Sequence, residues 1–189
     1  MNIVPIDQQL FCVQNFAPPA LVDKILNTNW VALSYQRTQF RKDGTPWLRR
    51  QIDSSAIEWH AEWVEFLKTK WEQITQQLGP SGWPYPTYPE STFWLDEPGF
   101  DCGIHTDGEL PGAMQLYWIG NSNLGTTFYH NKNGKNIRVQ FKFVANQGYV
   151  MINLPDHHGY QLLQWHGMLT PVPKDTFRLS SYVWPTRIY

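Results

Sequence analysis

The sequence predicts an α+β fold in a single domain: a double-stranded β-helix (jelly roll) with N-terminal buttressing helices. Three observations carry that prediction. Trp63, Phe66, Leu67, Trp71, Ile74 and Leu78 recur at helical spacing, so one long helix lies in the first half. After Gly79-Pro80 the pattern changes to short runs of β-type residues separated by turn residues. Within that second part, Ile137, Val139, Phe141 and Phe143 alternate with Arg138, Gln140 and Lys142, as in a half-buried strand with one wet face. The expected division is a mainly helical support over 1–90 and a jelly-roll core over 91–189.

The elements follow in order. Gln9 to Val13 reads as a short strand, and Pro18-Pro19 opens a helix to about Asn27, because proline is tolerated in a first helical turn. Val31 to Gln36 reads as extended. Ser55-Ala56-Ile57-Glu58 has the form of a capping box, and Gly79 supplies a stop. Pro84, Pro86 and Pro89 mark an irregular connection. Strands are then expected at 92–96, 102–107, 113–119, 125–130, 136–144, 147–152, 160–166 and 176–184, with Asn133-Gly134 as a hairpin turn. The helix must bury its apolar stripe on something, most simply a sheet.

Composition narrows the function classes. The chain of 189 residues is 42% apolar and 16% charged, which suits a globular domain rather than a disordered one. A formal net charge of -1 gives no global attraction for nucleic acid or an anionic membrane, so neither partner is expected. Cys12 and Cys102 lie far apart and form neither a metal spacing nor a disulfide framework, which suits a reducing, cytoplasmic setting. No apolar run reaches membrane-spanning length, and the N-terminus lacks the form of a signal peptide. Ten Trp, nine Tyr and ten Phe point chiefly to an aromatic-rich β core, with some left for an aromatic-lined pocket.

The candidate chemistry lies in three separated pieces: His105-Thr106-Asp107, His166, and Arg178-Leu179-Ser180. On a strand, residues two apart share a face, so His105 and Asp107 point the same way. A lone His-x-Asp is also what a hydrogen-bonded pair at a strand end looks like. His166 follows an apolar extended run, and a jelly roll can bring such a position beside His105. Two histidines and one carboxylate can fill one face of an octahedral Fe(II), leaving positions open. His157 and His158 are rivals for the third ligand, but Leu154 to Gly159 reads as an exposed loop. His130 precedes the hairpin turn and His60 lies on the helix, both poor ligand positions. Arg178 and Ser180 share a strand face among Phe177, Leu179, Tyr182, Val183 and Trp184. Buried arginine needs a partner, and its planar fork matches a carboxylate.

Taken together, these pieces resemble the iron(II)/2-oxoglutarate-dependent dioxygenase superfamily, and within it the prolyl-hydroxylase-like branch. The first gap, from His105 to His166, is 61 residues and the second, to Arg178, is 12. Phe93-Trp94-Leu95, Pro98-Gly99, Gln115-Leu116-Tyr117-Trp118, Gly148-Tyr149-Val150-Met151 and His166-Gly167 followed by Pro171-Val172 are similar to the family's flanking segments. The likeness covers roughly residues 90 to 185. It implies Fe(II) held by His105, Asp107 and His166, and 2-oxoglutarate held through its remote carboxylate by Arg178 and Ser180. It also implies O2 as oxidant, and hydroxylation of an unactivated C–H with release of succinate and CO2. The family often bonds the cosubstrate with a tyrosine on the strand before His-x-Asp. Phe93, Trp94 and Leu95 stand there, so that contact is absent or falls to Tyr117 or Trp118.

The substrate implied is peptidyl, a prolyl residue being the nearest analogy, or a small molecule. A nucleic-acid substrate is not expected, since the repair branch carries a second arginine six residues after the first and Trp184 stands there. Two other readings stay open on the residues alone: a noncatalytic jelly-roll binding module, and a cupin-type metal-dependent enzyme. The intact triad argues against the module, and Arg178-x-Ser180 against the cupin.

Overall fold

In the computed structural model, residues 1–36, 47–78, 87–107, 111–153 and 164–187 are described. The strands are β1 (Asn2–Pro5), β2 (Leu10–Gln14), β3 (Tyr35–Gln36), β4 (Arg49–Ile52), β5 (Thr87–Asp96), β6 (Gly112–Ile119), β7 (Thr126–Tyr129), β8 (Ile137–Gln140), β9 (Gln147–Ile152), β10 (Trp165–Met168) and β11 (Arg178–Arg187). Two helices, α1 (Pro19–Asn27) and α2 (His60–Leu78), precede the main run of strands. The large sheet has the order β1-β2-β9-β6-β11-β5-β4-β3, and the small one β10-β7-β8. Every strand pairing among the described residues is antiparallel.

Side-chain alternation sorts the large sheet into two faces. Phe11, Val13, Phe93, Leu95, Met114, Leu116, Trp118, Val150, Ile152, Leu179 and Val183 join Trp63, Leu67, Trp71 and Ile74 of α2 and Leu21 and Ile25 of α1 in one buried cluster. The intervening residues face the small sheet: Leu10, Ala113, Tyr117, Tyr149 and Met151 pack with Phe128, Phe141, Phe143 and Met168. Two sheets closing on a shared cluster is the layering of a jelly roll. Two indoles of α2 are also tied to β5, Trp63 donating to Ser91 Oγ at 3.0 Å and Trp71 to Thr87 Oγ1 at 2.9 Å. Trp63 is fully buried, and truncating such a residue costs about 3–5 kcal/mol. No helix among the described residues is long and apolar enough to cross a membrane.

Several elements differ from the sequence expectation. The capping box does not form. Asp53 accepts hydrogen bonds from the amide and hydroxyl of Ser55, which turns 54–56 into a 3-10 turn, and α2 begins at His60. Trp30–Ala32 is likewise a 3-10 turn rather than extended chain. The strand expected over 136–144 is ordered as β8 only at Ile137–Gln140. The ladder with β7 shifts register between Phe128 and Tyr129, and Arg138 is the extra residue of the bulge. Alternation therefore slips, and Ile137 is exposed while Phe141 and Phe143 are buried. The strand expected over 102–107 reduces to a single bridge, His105 with His166. Residues 160–163 of another expected strand, and the rivals His157 and His158, lie outside the described residues.

Candidate metal centre

His105 and His166 are a directly opposed antiparallel pair. Each donates its amide to the other's carbonyl at 2.9 Å. Their imidazoles consequently lie side by side, with ring centroids 4.4 Å apart. Gly167 permits the close approach, since a Cβ there would lie 2.9 Å from Cys102 O and 3.0 Å from Gly103 O. Asp107 adds its carboxylate: Oδ1 is 3.4 Å from His105 Nε2 and 3.5 Å from His166 Nε2. One ligand atom from each of the three residues lies within 4.8 Å of the other two.

The rings are oriented from behind in the same way. His105 Nδ1 is 2.8 Å from Gly103 O, and His166 Nδ1 is 2.8 Å from Gln164 O. A carbonyl only accepts, so each Nδ1 carries hydrogen and each Nε2 faces the cluster. Phe128 stacks on His166, the ring centroids 5.3 Å apart. Tyr182 donates its hydroxyl to Asp107 Oδ2 at 2.6 Å, holding the carboxylate from the far side. Burial, and then the charge of Asp107, push the Tyr182 phenol up, so it stays protonated as a donor.

Two nitrogens and one oxygen, converging with hydrogen-bonded supports, fit a divalent ion with bonds of about 2.0–2.2 Å. Burial works against the His105 imidazolium, but Asp107 and Cys102 outweigh it and push the group up to about 10. Burial likewise opposes the Asp107 carboxylate, yet hydrogen bonds from His105, His166 and Tyr182 hold it well below the usual carboxylate range. An ion binding here displaces a proton.

The cluster opens on a cavity whose wall includes Arg49, Trp94, Gln115, Tyr149, Arg178 and Tyr182. Arg178 is buried and gives Nε to Asp96 Oδ2 at 2.7 Å and Nη1 to Leu124 O at 3.0 Å. Ser180 is fully buried and reaches the cavity through Gln115, whose Nε2 donates to Ser180 Oγ at 3.2 Å. Gln115 Oε1 in turn accepts from Thr126 Oγ1 at 3.0 Å and from Tyr149 OH at 3.1 Å. Tyr117 lies behind this wall, stacked on Phe143, with its hydroxyl accepting from the Thr126 amide at 3.0 Å. Trp118 points to the helical side and bonds Ser181 Oγ at 3.0 Å. The phenols that line the cavity are Tyr149 and Tyr182.

The structure therefore brings His105, Asp107, His166 and Arg178 to one cavity, with Ser180 one hydrogen bond behind its wall. Sequence reasoning missed Arg49, Asp96, Gln115 and Tyr182. Tyr182 was within reach, because Arg178, Ser180 and Tyr182 share one strand face. Arg49 had no local signal, for its segment shows no strand periodicity.

No family model matches the sequence, and no curated protein matches it. Solved structures do. The chain is similar to a prolyl-4-hydroxylase from Pseudomonas putida, with TM-score 0.60 and 17% identity over 96% of this chain and 94% of that one. It is similar to the 2OG complex of a viral collagen prolyl hydroxylase from Paramecium bursaria Chlorella virus-1, with TM-score 0.60 and 10% identity over 95% of this chain and 97% of that one. A third is HygX from Streptomyces hygroscopicus with nickel and 2-oxoglutarate bound, with TM-score 0.60 and 9% identity over 96% of this chain and 84% of that one. At these identities the likeness carries the fold, and in fold this chain resembles the iron(II)/2-oxoglutarate oxygenases, its prolyl-hydroxylase-like neighbours included.

Proposed function

We propose that the protein is an Fe(II)- and 2-oxoglutarate-dependent dioxygenase that hydroxylates an unactivated C–H of a peptidyl or small-molecule substrate. The observation that carries this reading is the convergence of His105, Asp107 and His166 on one cavity whose wall also holds Arg178. His105, Asp107 and His166 would hold Fe(II). Arg178, with Ser180 acting through Gln115, would hold the remote carboxylate of 2-oxoglutarate. When bound, the iron with 2-oxoglutarate and O2 supplies the oxidation, with release of succinate and CO2. The chain's own part is geometry and charge. Two backbone carbonyls keep both Nε2 atoms turned inward, and Tyr182 holds Asp107 in a fixed orientation. Trp94 and Met168 add apolar surface to the cavity wall. A peptidyl substrate is favoured by the prolyl hydroxylases among the similar folds.

The test is an anaerobic titration of metal-free protein with Fe(II) and 2-oxoglutarate, followed by the weak visible charge-transfer band of the chelate, with His166→Ala as control. A band in the wild type that vanishes in the control supports the assignment. A folded, metal-binding wild type without a band refutes it.

A further inference from the structure

Asp96, Arg49 and Arg178 occupy one rung across three adjacent strands, since Asp96 of β5 is the register partner of Arg49 in β4 and of Arg178 in β11. Asp96 is fully buried. Its Oδ1 accepts Arg49 Nε at 2.6 Å, and its Oδ2 accepts Arg49 Nη2 at 3.1 Å and Arg178 Nε at 2.7 Å. The arginine side chains are 14% and 3% exposed. The guanidinium of Arg49 is held over the Phe100 ring at 4.3 Å and near the Trp94 ring at 5.2 Å. Two guanidiniums and one carboxylate leave one positive charge in excess. The other acid on the cavity wall, Asp107, is engaged by the two histidines and Tyr182.

Buried charge in excess calls for a counter-ion. Arg178 alone would be balanced by Asp96, leaving no net charge to draw an anion into the cavity. Arg49 is what makes this end positive, and it lines the same cavity as Arg178. We propose that Arg49 is a second anion-binding residue of the site, joining Arg178 on the remote carboxylate of a dicarboxylic 2-oxo acid. The proposal rests on the cosubstrate reading given above. It assigns selection between dicarboxylic and monocarboxylic 2-oxo acids to a residue that lies outside the His-x-Asp, His and Arg pieces.

The experiment is calorimetric titration of the nickel-loaded full chain with 2-oxoglutarate and with 2-oxopentanoate, in which a methyl group replaces the remote carboxylate. Wild type should prefer 2-oxoglutarate. Arg49→Gln leaves Asp96 and Arg178 as a balanced pair, and should cut that preference by about tenfold, the worth of one charged hydrogen bond. Its affinity for 2-oxopentanoate should stay within about twofold of wild type. An unchanged preference, or an equal loss for both acids, overturns the proposal, the second result marking a purely structural role. If Arg49→Gln does not fold, Arg49→Met is read in the same way: it removes the charge while keeping a long side chain, so wild-type preference there also overturns it. A wild type that binds neither acid would sink the cosubstrate reading as well, whereas a selective wild type with an equally selective Arg49→Gln would remove Arg49 alone.

Discussion

The two ends of the cavity are built in opposite ways. At one end, His105, Asp107 and His166 turn Nε2, Oδ1 and Nε2 toward a common point. At the other end, Arg49 and Arg178 turn donors inward around a single carboxylate, Asp96. The donor set of the first end suits a cation and that of the second an anion. A dicarboxylic 2-oxo acid chelating a metal would join them, which is why the charge pattern and the metal geometry support one reading. The ends also differ in origin. The metal end takes two of its three residues from one short stretch, whereas the anion end takes one residue from each of three strands.

Breaking the metal end should have the largest effect. Asp107→Ala removes the ligand shared by both histidines, and should lower metal affinity by more than about a hundredfold and abolish succinate release, both measurable on the purified chain. Full coupled activity in that variant would refute the triad. Breaking the anion end acts first on the fold. Asp96→Asn leaves two buried guanidiniums without their counter-charge and should cost about 3–5 kcal/mol, read as a fall in thermal midpoint of roughly 10 °C.

The same residue gives a pH test. Burial tends to raise the Asp96 carboxyl, but Arg49 and Arg178 prevail and hold it below its ordinary value. Its folded pKa lies below the unfolded one, so its contribution is complete above about pH 3.9 and is lost as pH falls toward the folded value. Wild type should therefore lose stability on acidification below about pH 4 more steeply than Asp96→Asn, as followed by urea midpoints. Equal slopes would contradict the ion-paired description.

Smaller changes sharpen the contrast. Tyr182→Phe removes one hydrogen bond to Asp107 and should weaken metal binding by about tenfold without altering the choice between 2-oxo acids. Tyr117→Phe should have the least effect on the site. It leaves the Thr126 amide unpaired at about 1–3 kcal/mol of stability, with metal and 2-oxoglutarate affinities within about twofold of wild type. A large loss of 2-oxoglutarate affinity in that variant would show that Tyr117 itself reaches the cosubstrate.

Much of this protein was legible in local pattern. The stripe of α2, the strands at 113–119 and 147–152, and the His-x-Asp, His and Arg pieces follow from periodicity of 3.6 or 2 and from residue chemistry, which act over a few residues. α2 starts later than the Ser55–Glu58 pattern implies because two carboxylates compete for one amide: Asp53 Oδ1 accepts the Ser55 N–H that Glu58 would accept in a capping box. The slip of β8 was hidden because a bulge depends on the partner strand, which no single segment displays.

By itself the sequence determined which residues could bind a metal, where the main helix and several strands run, and which faces of the strands are apolar. Only the tertiary structure decided that His105 and His166 are opposed, that Tyr182 holds Asp107, and that Arg49 and Arg178 share Asp96. The reason is register. Cross-strand pairing joins residues tens of positions apart, and a shift of one residue would turn each of these side chains to the opposite face.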